Sequence, residues 1–149
     1  MARQALYLMV EQLQQKEQDA AKALAEVQQQ LRQFEGQLQH LEEYRRSYLE
    51  QALAHGADGL KAQSFHQYQM FIQKLEQASV QQNQSIQQIR QNLSLCRKQW
   101  QEQRAKRRAM ELLIEKQVAE KEKAQLKAEQ KLLDEYALFA HFRNADPIN

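Results

Sequence analysis

The sequence predicts an all-α protein: a long two-helix antiparallel coiled-coil hairpin whose C-terminal helix projects past its partner as a single helix. Three observations carry that prediction. Helix breakers are scarce, with three Gly and one Pro in 149 residues. Turns need these residues, so the chain has few turns. The polar residues are strong helix formers, with 29 Gln, and 27% of the chain is charged against 7% aromatic. Apolar residues, finally, recur every 3.5 residues in two long stripes.

The first stripe steps alternately by four and three through Leu6, Val10, Leu13, Glu17, Ala20, Leu24, Val27, Leu31, Phe34, Leu38, Leu41, Arg45, Tyr48 and Ala52. Twelve of these fourteen positions are apolar, where composition alone gives about six. Such spacing keeps one face of a slightly under-wound helix against a partner and sets a left-handed coiled coil. The second stripe runs Tyr68, Ile72, Leu75, Ser79, Gln82, Ile86, Ile89, Leu93, Cys96, Trp100, Gln103, Arg107, Met110 and Ile114. It is weaker, with ten of fourteen apolar.

Between the stripes lies ALAHGADGLKAQSFHQYQ, residues 52–69, holding Gly56 and Gly59. Gly56 after His55 reads as a left-handed helix stop, and Gly59 eases the return. Ser64 three residues before Gln67 reads as a capping box for a new helix. One elongated domain is therefore expected, with helix one over about 3–54, a reversal over 55–63 and helix two over about 64–143. If Ala52 faces about Phe65, Leu6 lies beside about Glu111, which is where the second stripe fades. Residues from about 112 to 143 then project alone over roughly 45 Å, and Pro147 ends the helix.

Charge and chemistry narrow the function. Net charge is +2, too balanced to argue for nucleic acid by itself. Residues 1–55 carry six basic and eight acidic side chains, whereas 97–149 carry twelve and nine. No apolar run approaches a membrane span, and MARQALYLMVEQ lacks a signal peptide's apolar core, so a cytoplasmic protein without direct membrane insertion is expected. His40, His55, His66 and His141 are scattered, with no Glu-x-x-His pair and no glycine-rich phosphate loop. No enzyme, metal site or cofactor is expected. Cys96 sits inside an apolar repeat and reads as a small buried hydrophobe. Gly36, inside helix one, is either a tolerated defect or a functional bend.

Three surface features point to partners. The RAKRR run, Arg104 to Arg108, with Lys116, Lys121, Lys123, Lys127 and Lys131, is interleaved with Glu111, Glu115, Glu120 and Glu122. That pattern is either a charge-paired solvated helix or an anionic partner's surface; nucleic acid would want aromatics among the basic residues. Tyr44, Tyr48, Phe65, Tyr68 and Phe71 gather near the hairpin tip, with Tyr44 and Phe71 one step beside the seam, so tip packing and a protein-docking patch both fit. The overhang's sparse row Leu112, Ala119, Leu126, Leu133 and Ala140, spaced by seven, fits either docking on another protein or fraying.

The strings QLQHLEEYRRSYL (37–49), HQYQMFIQKLEQA (66–78) and KQWQEQRAKRR around Trp100, with the glycine-containing reversal, resemble the flagellar export FliJ family. The specific part of the match is the tip region of about 40 residues. The resemblance implies a non-enzymatic, cytoplasmic component at the base of the flagellar type III export apparatus. It implies a stalk-like coiled coil that promotes assembly of the export ATPase ring, enters its pore, links it to the membrane export gate, and is associated with recycling export chaperones. Export-gate contact would fall on Gln37, Leu41, Tyr44, Tyr48, Phe71, Leu75 and Ala78, with Gln82 standing at the next turn where members of the family can carry His. Contact with the ATPase ring would fall on Arg104, Arg107, Arg108, Leu112, Lys116, Leu126 and Leu133. Alone, the chain is expected to be monomeric. The alternatives are a generic coiled-coil scaffold, which would self-associate through its seam, and a nucleic-acid-binding coiled coil, which would show steep salt dependence.

Overall fold

The computed structural model describes residues 2–57 and 62–145, and both stretches are helical throughout. Helix α1 spans Ala2–Ala57 and α2 spans Ala62–Ala145. The two pack against each other as an antiparallel hairpin. With so few Gly and Pro and so many Gln, Glu, Lys and Ala, local propensity and the apolar stripes favour the same state along the whole described chain.

The helix ends differ from the expected ones. Helix α1 runs past residue 54 through His55 and Gly56 to Ala57, so Gly56 is a helical residue rather than a left-handed stop. A Cβ at Gly56 would meet nothing within 4 Å, so no close approach demands glycine there. An exposed helical glycine costs only about 1 kcal/mol, too little to end a helix by itself. Helix α2 begins at Ala62, which puts Ser64 inside the helix and removes its capping role. Gly59 and Pro147 lie outside the described residues.

Contacts divide the chain into two units: residues 15–103, and the residues up to Gln14 together with those from Arg104 onward. In the first, Val27, Ala52, Leu75, Ile86 and Ile89 are buried, and Ile86 is sealed from solvent at 1% exposure. Tyr48, expected beside about residue 69, packs on Tyr68 and Phe71, and Gln82, expected beside about residue 35, reaches Phe34 and Gln37. The register read from the sequence is therefore the observed one. Arg90 also pairs with Glu35 at 3.2 Å, an exposed ion pair that contributes at most about 1 kcal/mol.

The predicted seam is the buried face. Thirteen of the fourteen α1 positions are buried or half-buried, as are all fourteen in α2. Arg45 is the exception, and its guanidinium turns out to Glu76 at 3.7 Å. Desolvating an unpaired cation inside the seam would cost far more than such a contact returns. Two polar seam members leave oxygens unsatisfied, Ser79 Oγ and Gln103 Oε1. Cys96 is half-buried, its thiol donating to Asn92 Oδ1 at 3.8 Å.

In the second unit, Val10 and Ile114 are the buried apolar pair of side chains. The seam then departs from the strict repeat: Gln117, the next expected member, is exposed, while Val118 is half-buried. Two successive steps of four, Met110 to Ile114 to Val118, form a stutter that rotates the apolar stripe by one position. Every residue from Ala119 to Phe139 is exposed.

Candidate docking surfaces

Five rings meet between α1 and α2 near the ends that face the reversal. Tyr48 sits at the centre, with ring centroids 4.9 Å from Tyr68, 4.5 Å from Phe71 and 6.2 Å from Tyr44. Tyr44 and Phe71, one step off the seam, meet edge to face at 5.9 Å, and His55 stacks over Tyr68 at 6.3 Å. Tilted and edge-on contacts of this kind each contribute on the order of 1 kcal/mol beyond area. Phe71 is thereby half-buried, whereas Tyr44 keeps 53% of its surface in solvent. Packing accounts for Phe71, while Tyr44 remains exposed. Phe65 is also exposed, at 45%.

Beside Tyr44 opens a groove of about 830 Å³ lined by Gln37, His40, Leu41, Glu43, Tyr44 and Gln82. Its floor is built by a polar cross-brace. Gln82 donates from one amide nitrogen to the Phe34 carbonyl and to Gln37 Oε1, both at 3.0 Å. The Phe34 carbonyl has a second lone pair to accept this bond within a helix. Gln82 thus occupies a seam position without leaving its amide nitrogen unsatisfied, and it fixes the side chain of Gln37 at the groove's edge.

Of the seven residues carried over for gate contact, Gln37, Leu41 and Tyr44 line this groove, and Tyr48 and Phe71 support Tyr44 from within. Ala78 is half-buried. Leu75 is 8% exposed and belongs to the seam, where it holds the helices together beneath the surface.

The basic run is charge-paired. Arg107 donates to Glu111 at 2.9 Å, and Arg108 reaches Glu111 at 3.4 Å and Glu115 at 3.8 Å. The hydrogen bond from Arg107 is the main cause holding the Glu111 carboxyl below the usual carboxylate range. Arg107 and Arg108 are thus paired within the helix, Arg107 half-buried in the seam and Arg108 in solvent. Leu112, Lys116, Leu126 and Leu133 are exposed, with Leu126 at 66%.

A second exposed apolar group went unread in the sequence. Leu132, Leu133, Tyr136, Phe139 and Phe142 crowd the last turns of α2, each more than 60% exposed. The seven-residue row in the sequence included Leu133 but passed over the aromatics. Further along, steps of three and four run through Glu129, Leu132, Tyr136, Phe139 and Arg143, a stripe whose members are all exposed. On α1, the LYLM string leaves Tyr7, Leu8 and Met9 at least 45% exposed on the faces away from Leu6 and Val10.

Among the described residues no group of His, Cys, Asp and Glu could hold a metal ion. No described helix is long and apolar enough to cross a membrane.

Comparison with known proteins matches residues 2–146 to the family model described as flagellar FliJ protein. The flagellar FliJ protein of Salmonella typhi is 31% identical over 128 residues, covering 86% of this chain and 87% of that protein. Its counterpart in Escherichia coli K12 is 30% identical over the same length, with the same coverage. No solved structure matches. The hairpin, the aromatic groove and a match along nearly the whole chain lead to one assignment: the protein belongs to the flagellar FliJ family.

Proposed function

We propose that this chain is a non-enzymatic, stalk-like part of the flagellar type III export apparatus that promotes assembly and activity of the export ATPase ring and links that ring to the membrane export gate. Family membership makes it a flagellar export component. The finer roles rest on how its exposed apolar surface is distributed. One surface is the shallow, open groove at Gln37, Leu41 and Tyr44, backed by a ring cluster and a polar brace and broad enough for one protein segment. We assign it to the gate.

The observation that carries the ring assignment is the apolar girdle in the unit that holds the N-terminal turns of α1. Leu6, Tyr7, Leu8, Met9 and Val10 cover every face of that helix, and Leu112 and Leu113 are exposed on α2. A helix apolar all round is one that is covered all round. A collar of subunits supplies such a covering; a flat partner does not. Leu126 and Leu133 extend the contact along the overhang, with the Arg104 to Lys116 stretch contributing charge. A role in recycling export chaperones, a cytoplasmic location at the base of the apparatus, and action as one domain belong to the same proposal.

The test is ATP hydrolysis by the flagellar export ATPase at a concentration where its ring partly assembles, with and without this protein. Stimulation is expected, and it should fall severalfold with Leu8→Asp while binding to the gate's cytoplasmic domain is retained. Stimulation unaffected by Leu8→Asp would sink the collar reading, and absence of any stimulation would remove the ring role.

A further inference from the structure

The apolar end of α2 has a symmetry that a ring or a groove does not require. Counted outward from Tyr136, the residues three away are Leu133 and Phe139, those four away are Leu132 and Ala140, and those seven away are Glu129 and Arg143. These positions share one face of the helix, since steps of three, four and seven return to it. An apolar centre is therefore closed at one end by an acid and at the other by a base. Leu132, Leu133, Tyr136 and Phe139 are between 63% and 74% exposed.

We propose that this face is a self-association surface, on which two copies of the chain pair antiparallel across residues 129–143 with Tyr136 at the two-fold axis. A two-fold contact places residue i of one copy on j of the other and j on i. Tyr136 then meets Tyr136, Leu133 meets Phe139, and Leu132 meets Ala140. Glu129 faces Arg143 of the second copy at both ends. A parallel pair would instead stack Glu129 on Glu129 and Arg143 on Arg143, so the charges select the antiparallel arrangement.

Length is compatible as well. In this register Ala145 of the second copy lies opposite Lys127, inside the stretch whose residues are exposed. The contact is short, at the low end of specific interfaces, so the pair is transient and concentration-dependent. The monomer expected from the sequence is its dilute state. The proposal does not rest on the ring assignment, but Leu133 belongs to both surfaces, so pairing withholds it from any ring.

Sedimentation equilibrium of the full chain from about 1 μM to about 1 mM tests the pairing. The mass should rise from 17.6 kDa toward twice that value. Glu129→Arg should weaken association about tenfold, and adding Arg143→Glu to it should restore the pair, because the charges are exchanged rather than lost. In a Cys96→Ser background, Tyr136→Cys should form a disulfide-linked dimer with an added oxidant, and Lys121→Cys should not. A constant monomer mass overturns the proposal, as does a dimer indifferent to the charge exchange or one linked equally well through position 121.

Discussion

Helix α2 contrasts two ways of being a helix. From Tyr68 to Val118 it carries a buried stripe against α1, and from Ala119 to Phe139 it carries none. Both stretches are rich in Gln, Glu, Lys and Ala, so propensity does not separate them. Cover does. In the first stretch each seam residue is held by tertiary packing. In the second, the helix rests on local pairs such as Gln130 to Asp134 at 3.1 Å, each worth a few tenths of a kcal/mol. A helix is cheap to extend once nucleated, which is why the second stretch persists as a continuation of the first. Its apolar side chains are then available to partners, while those of the seam are committed.

The sharpest break of this comparison is a matched pair of truncations. Ile86→Ala, at the sealed centre, should lose about 2–4 kcal/mol of unfolding free energy in urea melts. Leu132→Ala, in the uncovered stretch, should lose under about 0.5 kcal/mol at low concentration. Equal losses would mean that the overhang is packed in solution.

A smaller effect separates satisfied from unsatisfied seam polars. Gln82→Leu removes two hydrogen bonds across the helices and should cost about 1–2 kcal/mol. Ser79→Ala removes a hydroxyl that has no partner, and should be neutral or stabilising. Chemical denaturation of both variants decides whether the brace at the groove contributes as its geometry indicates.

Gly36 and Gly56 give a gain instead of a loss. A Cβ at either meets nothing within 4 Å, and both are helical. Gly36→Ala and Gly56→Ala should each raise stability by about 0.5–1 kcal/mol, seen as a higher Tm. For Gly36 the open space removes close packing as a reason for the glycine.

The smallest effect is electrostatic. Glu111 has its folded-state pKa lowered by Arg107, so its contribution is present above the ordinary carboxylate range and fades as pH falls through the lowered value. The stability difference between the natural chain and Glu111→Gln should therefore shrink on acidification, and Arg107→Gln should weaken that pH dependence without removing it, because Arg108 also lowers the Glu111 pKa.

How much of this was legible follows from the physics of repeats. A seam of period 3.5 is written in residue spacing, so the hairpin, its register and the exposure of Tyr44 could be read directly. The reversal was misread by a few residues because glycine marks a permitted stop, not an obligatory one, and Gly56 stays helical. The terminal aromatic face was missed for a different reason. The terminal stripe lies one position further along than the repeat counted onward from Gln117, which lands on Lys131 and Glu135, one residue short of Leu132 and Tyr136. The signal that would have found it is the KLLDEYALFAHF string itself, dense in large apolar residues where the expected seam had faded. The polar brace could not be read, because Gln82 looks like a seam defect until the Phe34 carbonyl is placed beside it.

The central claim is that the covered seam holds the molecule together and the uncovered stretch serves a partner. Its most direct test is ATP hydrolysis by the export ATPase with the full chain and with a chain ending at Val118, after urea melts confirm equal stability. The shortened chain keeps the girdle at Leu6 to Val10 and should lose only the share of stimulation that the overhang supplies, a clear drop, while still binding the export gate's cytoplasmic domain. Full stimulation by the shortened chain would contradict the claim.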